Sequence, residues 1–327
     1  MGADIGDIVE GESVPLDEIG GRAGVDAFNA IYGFLANIRQ RDGTPLKDSK
    51  GRVTSHLSGL LYRNANLYEA GVKPLYVFDG EPPQLKMETV EERREQKADA
   101  EEAWEEAKRR GDEAAMLKHA QQATSLDRPQ VETSLALLEA MRVPWIEAPS
   151  EGEAQAARMC ENGDLDYVAS QDVDALLFGA PVLVRNLTIR GRQGTELEPE
   201  RIVLEDLLDE LGLSRRELIH VAILCGTDYN DGIHGVGPKT ALDLIESGTI
   251  EEALDEHDHE VDWEAIESLY MEPAVTDDYE EPSWSKPDDD AVIDMLVGDH
   301  DFSESRVASA LERIDAAVTQ RSLGDWS

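Results

Sequence analysis

Seven carboxylates stand at or just beyond the ends of short apolar runs: Asp26 in "GVDAF", Asp79 closing "YVFDG", Glu151 and Glu153 in "APSEGEAQAA", Asp172 and Asp174 after "YVAS", and Asp228 in "CGTDYN". Any one alone reads as a turn acid or a helix cap. Gathered in one place they need another account, because carboxylates about 4 Å apart at an effective dielectric near 20 repel by roughly 4 kcal/mol per pair. Bound cations make such a cluster tolerable. Oxygen-only donors suit hard ions, and two magnesium or manganese ions among carboxylates can activate a water and stabilise the leaving oxygen of a phosphodiester. The seven His residues are scattered, and no His and Cys pairing has zinc-site spacing. Ser150 and Glu153 also fit the S-x-x-E capping box of a helix start, in which Ser and Glu reciprocally satisfy backbone donors. If Glu153 serves a metal instead, Ser150 remains as the N-cap and the box stays open.

Strands have to bring these acids together. "GVDAF" (Gly24 to Phe28), "PLYVFDG" (Pro74 to Gly80), "VPWI" (Val143 to Ile146) and "DYVASQD" (Asp166 to Asp172) read as short buried strands separated by helical pattern. That alternation predicts an α/β fold with a mainly parallel central sheet flanked by helices, whose ligands bind beyond the carboxyl ends of the strands. From Lys86 to Arg128 the chain is helical and polar on most faces, broken at Gly111 and Asp112. Within it Lys86, Arg93 and Lys97 fall within about 40° on a helical wheel, which suits a phosphate-facing surface or a solvated charged face. Gly235, Val236 and Gly237 precede a helical pattern near Lys239, so main-chain amides and a helix N-terminus are available to a phosphate. "MEPAVTDDYEEPSWSKPDDD" reads as an extended surface excursion.

The chain has 327 residues and a formal charge of −40, which alone argues against a nucleic-acid partner. At about 1 M ionic strength, however, the Debye length is roughly 3 Å and only close contacts matter. Charge distribution is then more telling than its sum. Between Ala27 and Tyr68, Arg39, Arg41, Lys47, Lys50, Arg52 and Arg63 face only Asp42 and Asp48; "PVLVRNLTIRGRQGT" holds Arg185, Arg190 and Arg192 without an acid. Basic islands on an acidic background suit phosphate contacts, with a chance cluster of surface Arg as the alternative. Cys160 and Cys225 sit singly in apolar runs, as reduced thiols of a cytosolic protein do. No signal peptide and no run of the roughly 20 apolar residues needed for a membrane span is seen.

The stretches "VDAFNAIYGFL", "TSHLSGLLYR", "KPLYVFDGEPPQLK", "APSEGEAQAA", "SQDVDALLFGAPVLVRNLT" and "LCGTDYNDGIHGVGPKTALDLI" occur in this order over most of the chain. With them the sequence closely resembles archaeal flap endonucleases, structure-specific 5′ nucleases, and its acidic bias resembles a haloarchaeal member. The resemblance implies a magnesium-dependent 5′ flap endonuclease with 5′ to 3′ exonuclease activity, working on branched DNA in Okazaki-fragment maturation and long-patch base excision repair. It implies a nuclease region over 1–97, an internal nuclease region over 115–247, an acidic continuation of the same domain over 248–318 and a sliding-clamp-binding tail over 319–327. By the same resemblance Asp26, Asp79, Glu151, Glu153, Asp172, Asp174 and Asp228 bind two magnesium ions, which manganese can replace. Lys86 and Arg93 contact the scissile phosphate at the base of a helical arch. Tyr32 stacks on a base, Arg39 and Arg63 contact duplex, and Gly235, Val236, Gly237 and Lys239 form a helix-hairpin-helix with a potassium ion. Gln320, Leu323 and Trp326 match the clamp-binding box, although Ser327 takes its final aromatic place, and "MGADIGDIVE" is more acidic than the family's amino terminus. A cytoplasmic monomer is expected. The rivals are a related 5′ to 3′ exonuclease sharing every acid and a non-catalytic clamp-associated DNA-binding protein.

Overall fold

The computed structural model describes residues 2–40, 42–83, 85, 126–188 and 197–322, with side chains to residue 319. After a turn of 3-10 helix at Gly6–Ile8 come β1 (Glu12–Ser13), α1 (Leu16–Ile19), β2 (Gly21–Asp26), α2 (Ala27–Asn37), α3 (Ser55–Ala70) and β3 (Val72–Phe78). Beyond residue 126 follow α4 (Arg128–Ala140), β4 (Trp145–Glu147), α5 (Gly152–Glu161), β5 (Tyr167–Ala169), α6 (Asp174–Leu177), β6 (Val182–Arg185), β7 (Glu200–Val203), α7 (Leu204–Leu211) and α8 (Arg215–Cys225). The hairpin β8 (Gly226–Thr227) and β9 (Asn230–Asp231) leads to α9 (Pro238–Ser247), α10 (Ile250–Glu256), α11 (Trp263–Met271), α12 (Asp289–Ile293), a π turn at Asp294–Asp299 and α13 (Glu304–Ser322).

The main sheet has seven strands in the order β1-β7-β6-β5-β2-β3-β4. β2 pairs in parallel with both β3 and β5, as do β3 with β4 and β5 with β6; only β7 and β1 add antiparallel pairing at one side. The expected mainly parallel sheet is present. Covered on both faces, its central strands read as continuous apolar runs, and Val25, Val77 and Val168 are fully buried. One face holds α2, α3, α4 and α13 through Ile31, Leu60, Leu137 and Ile314; the other holds α5, α8, α9 and α11 through Met159, Ile219, Ala241 and Tyr270. Burying each large aliphatic side chain contributes about 1.5–3 kcal/mol.

Two local details place the strand ends relative to the helices. Gly24 lets α5 lie close to β2, since a Cβ there would fall 2.7 Å from Leu165 Cδ1 and 3.0 Å from Ala156 Cβ. The stretch from Glu272 to Asp288 is an extended excursion, tied down where Thr276 exchanges two hydrogen bonds with the Gln155 amide and where the Trp284 indole N–H donates to the Pro74 carbonyl at 2.7 Å. That last bond satisfies a β3 carbonyl which the short edge strand β4 does not reach.

Strand limits shift from the sequence reading. β2 stops at Asp26, and Ala27 and Phe28 open α2; their apolar character reflects a buried helix start. β3 ends at Phe78, β4 begins at Trp145, and β5 covers only Tyr167 to Ala169. Ser150 is not the N-cap of α5: the helix starts at Gly152, so Glu151 takes the cap position, without a side-chain cap bond. The reason is long-range, because the Gly152 amide donates to Asp79 Oδ1 at 2.7 Å. Among the described residues no helix is long and apolar enough to cross a membrane.

Candidate metal centre

Because β2, β3 and β5 run parallel, their carboxyl ends lie along one edge, and the chain leaves each of them through an acid. Asp26 is the last residue of β2 and the N-cap of α2, where its Oδ1 accepts the Asn29 amide at 3.0 Å. Asp79 follows β3 and takes the first amide of α5. Asp172 follows β5, and the Asp174 amide donates to its Oδ1 at 3.3 Å. A negative charge at a helix N-terminus is favoured by roughly 0.3–1 kcal/mol. Asp26, Asp79 and Glu153 gain from this at α2 and α5.

The Ser170 hydroxyl joins three of these acids. It donates to Glu153 Oε1 at 2.7 Å, stands 3.3 Å from Asp26 Oδ2, and accepts the Asp172 amide at 3.1 Å. Asp174 is buried, with Oδ1 accepting the Ala3 amide at 2.7 Å and Oδ2 accepting the Tyr270 hydroxyl at 3.1 Å. The amino-terminal segment therefore reaches the acids. A Cβ at Gly2 would fall 1.8 Å from Asp172 Oδ1 and 2.4 Å from Asp174 Oδ1, so any larger residue there has to displace these two carboxylates. Asp228 sits buried in the β8–β9 turn and acts electrostatically on Asp174.

Repulsion within the cluster marks its electrostatics. Burial, with Asp79 and Asp172 nearby, pushes the Asp26 carboxyl up to about 7. Burial, with Asp172, Asp26 and Asp174 adding to it, raises Glu153 well above the usual carboxylate range. Burial and then Asp172 do the same to Asp174. The phenols of Tyr229 and Tyr270 are raised by burial and by the neighbouring acids, which keeps Tyr270 a hydrogen-bond donor. Among the described residues no three His, Cys, Asp or Glu side chains form a ready-made metal cage. The donor set still fits a hard divalent ion. It is all oxygen, its charges disfavour one another without a counterion, and magnesium keeps several waters and needs only one or two direct carboxylates.

The remaining residues singled out from the sequence are dispersed around this edge. Tyr32 is exposed on α2. Arg39 donates to the Ala36 and Gly43 carbonyls at 3.2 and 2.7 Å, which fixes the loop after α2. Arg63 lines a groove of about 310 Å³ between α2 and α3, together with Gly33, Gly59 and Tyr62. Val236 is buried in the core, while Gly235, Gly237 and Lys239 are exposed around the start of α9. Lys86, Arg93, Leu323 and Trp326 lie outside the described residues, as do Arg190, Arg192 and the side chain of Gln320. Sequence reasoning missed Ser170, Tyr270, Gly152 and the Gly2–Ala3 contact. Only Ser170 had a visible signal, a hydroxyl at the carboxyl end of a strand two residues before an acid.

Comparison with known proteins agrees with this geometry. Residues 16–100 match the XPG N-terminal domain and residues 142–228 the XPG I-region. Proteins named Flap endonuclease 1 from Thermococcus onnurineus and Methanoculleus marisnigri are 49% and 47% identical to the chain, covering all of it and 99% and 100% of themselves. The solved flap endonuclease-1 from Methanococcus jannaschii superposes with a TM-score of 0.79 at 39% identity, covering 98% of this chain and 100% of its own.

Proposed function

The chain belongs to the flap endonuclease family, and on that premise we propose how its own residues divide the work. It is a structure-specific 5′ flap endonuclease, a metal-dependent hydrolase of DNA phosphodiesters that serves replication and repair. Asp26, Asp79, Glu151, Glu153, Asp172, Asp174 and Asp228 hold two magnesium ions, with manganese as a substitute. Ions held there supply an activated water for in-line attack and charge stabilisation for the leaving oxygen. The observation that carries this reading is the linkage of acids from separate elements through Ser170, Tyr270 and the amides of Gly152 and Ala3.

Around that centre the protein binds the scissile phosphate and shapes the substrate. Lys86 and Arg93 offset the charge that develops on the phosphate, which the surplus of acids over two divalent ions makes necessary. Tyr32 offers its exposed ring to a base, Arg63 borders the groove that meets duplex DNA through phosphates and shape, and Arg39 contacts the duplex from the loop after α2. Gly235, Val236, Gly237 and Lys239 hold one phosphate strand as a helix-hairpin-helix, with potassium as its ion. Gln320, Leu323 and Trp326 dock the sliding clamp. The products are a released strand and a nicked duplex carrying a 5′-phosphate and a 3′-hydroxyl.

A labelled 5′-flap substrate with magnesium and high potassium tests the reading. Cleavage near the junction, lost in Asp172→Ala, is expected. An intact flap with the parent protein, or undiminished cleavage by Asp172→Ala, overturns it. Faster cleavage of blunt duplex than of flap would favour the related exonuclease.

A further inference from the structure

Tyr270 lies in α11, outside both stretches that match the family, 96 residues from the acid it touches. It is fully buried. Its ring centroid stands 4.9 Å from that of Phe178, which closes α6 behind Asp174, and 5.5 Å from that of Tyr229, which follows Asp228. Packing alone would be served equally well by phenylalanine. A buried hydroxyl without a partner costs about 1–3 kcal/mol, so this one needs a polar reason to be there. Its partner is Asp174 Oδ2, while the Ala3 amide occupies Oδ1. A carboxylate offers about four acceptor sites, so both bonds can stand while others stay open to an ion.

We propose that Tyr270 is a positioning residue of the metal centre, its hydroxyl fixing the rotation of the Asp174 carboxylate against the repulsion of the neighbouring acids. The inference rests on the metal-site reading above. It makes α11, a helix of the acidic carboxyl-terminal part, a determinant of cation affinity. Partners that orient a ligand in this way typically account for about 10–100-fold in metal affinity or activity.

The test is Tyr270→Phe in the full-length protein, with manganese binding followed by electron paramagnetic resonance of the free ion in the absence of DNA. Manganese affinity is expected to fall about tenfold. The magnesium needed for half-maximal flap cleavage should rise in step, cleavage should recover at saturating metal, and the melting temperature in chelator should move by no more than about 3 °C. Parent-like manganese binding in Tyr270→Phe overturns the inference. A parent that binds no manganese overturns it together with the metal-site reading. If the variant does not fold, a fluorine label on the Tyr270 ring of the otherwise unchanged protein decides. A fluorine resonance that shifts on magnesium addition supports the role, and one that stays fixed overturns it.

Discussion

The helices α5 and α8 begin with the same local signature, Ser150-Glu-Gly-Glu153 and Ser214-Arg-Arg-Glu217, and end up with different hydrogen bonds. At α8 the box closes. The Ser214 amide donates to Glu217 Oε2 at 2.7 Å, and the Glu217 amide donates to Ser214 Oγ at 3.3 Å. Asp127 with Gln130 and Thr249 with Glu252 close in the same way at α4 and α10. At α5 Ser150 stands one residue outside the cap, Glu153 turns to Ser170, and the first amide of the helix serves Asp79, 73 residues away. A cap closed within four residues stabilises its own helix. A cap supplied from another strand ties the helix end to that strand and leaves a carboxylate for chemistry.

The largest separation between the two starts should appear in activity. Glu153→Gln keeps shape and removes charge, and flap cleavage is expected to fall at least about 100-fold with loss of a metal-site carboxylate. Glu217→Ala breaks the other box and should leave cleavage at the parent rate while lowering stability by about 1 kcal/mol. Single-turnover rates beside denaturant melts distinguish them. Equal activity losses in both variants would remove the functional difference.

Acidification should separate them next. Glu217 is held below the usual carboxylate range by the Ser214 amide and hydroxyl, so its contribution is present above its ordinary value near 4.5 and is lost as pH falls through the lower folded value. Asp26 has the opposite sign. Its carboxyl, near 3.8 when unfolded, sits at about 7 when folded without metal, so its charged form destabilises the chelated protein. Lowering the pH of that protein from 8 toward 5 should raise the melting temperature by several degrees, and the gain should shrink in Asp26→Asn. Acidification below about 4 should then lower it as capping acids protonate. With magnesium bound, the upper rise should disappear, because the ion favours the charged acids. A melting temperature that falls steadily from pH 8 in chelator would contradict the repulsion at the strand ends.

How much of this difference was written in the sequence depends on the range of the contact. Continuous apolar runs ending in acids made the parallel sheet and the edge holding Asp26, Asp79 and Asp172 legible, since a buried parallel strand carries its own pattern. The limits were less legible where a buried helix follows a buried strand, as at Asp26, because Ala27 and Phe28 are apolar for a helical reason. The capping box at Ser214 could be read because all its partners are local. At Ser150 the open box was legible from the chemistry of Glu153, but the cap was not: the sequence keeps Ser150 as the N-cap, and the structure puts Glu151 there. Asp79 reaches Gly152 across 73 residues and Tyr270 reaches Asp174 across 96, and no periodicity marks a lone amide or hydroxyl.

A backbone substitution tests the tie at α5 at intermediate size. A Cβ at Gly152 would lie 2.9 Å from Asp79 Oδ1 and 3.2 Å from the Val77 carbonyl, and the contact with Val77 is to main chain that cannot easily give way. In an ordinary helix Gly→Ala stabilises by roughly 0.5–1 kcal/mol. Here the close contacts should offset that gain and displace Asp79, so Gly152→Ala should cut cleavage about tenfold with a melting temperature near the parent's. Parent-like cleavage would contradict the close fit of the α5 start against Asp79 and the Val77 carbonyl.

The smallest effects give the most direct comparison of the two serines. Ser214→Ala removes an acceptor from a helix amide and a partner from Glu217, and should cost about 1 kcal/mol. Ser150→Ala leaves the α5 amides as they are, because Asp79 holds the first of them, and should stay within about 0.5 kcal/mol of the parent. Both should be measured in chelator, so that metal binding adds nothing to either melt. The double variant should equal the sum of the single ones, since the helices cap independently. A cost at Ser150 matching that at Ser214 would mean that the serine, and not the strand end, starts α5. Glu153 would then be free to close its box, and the division between a helix that caps itself and one that is capped by the site would be lost.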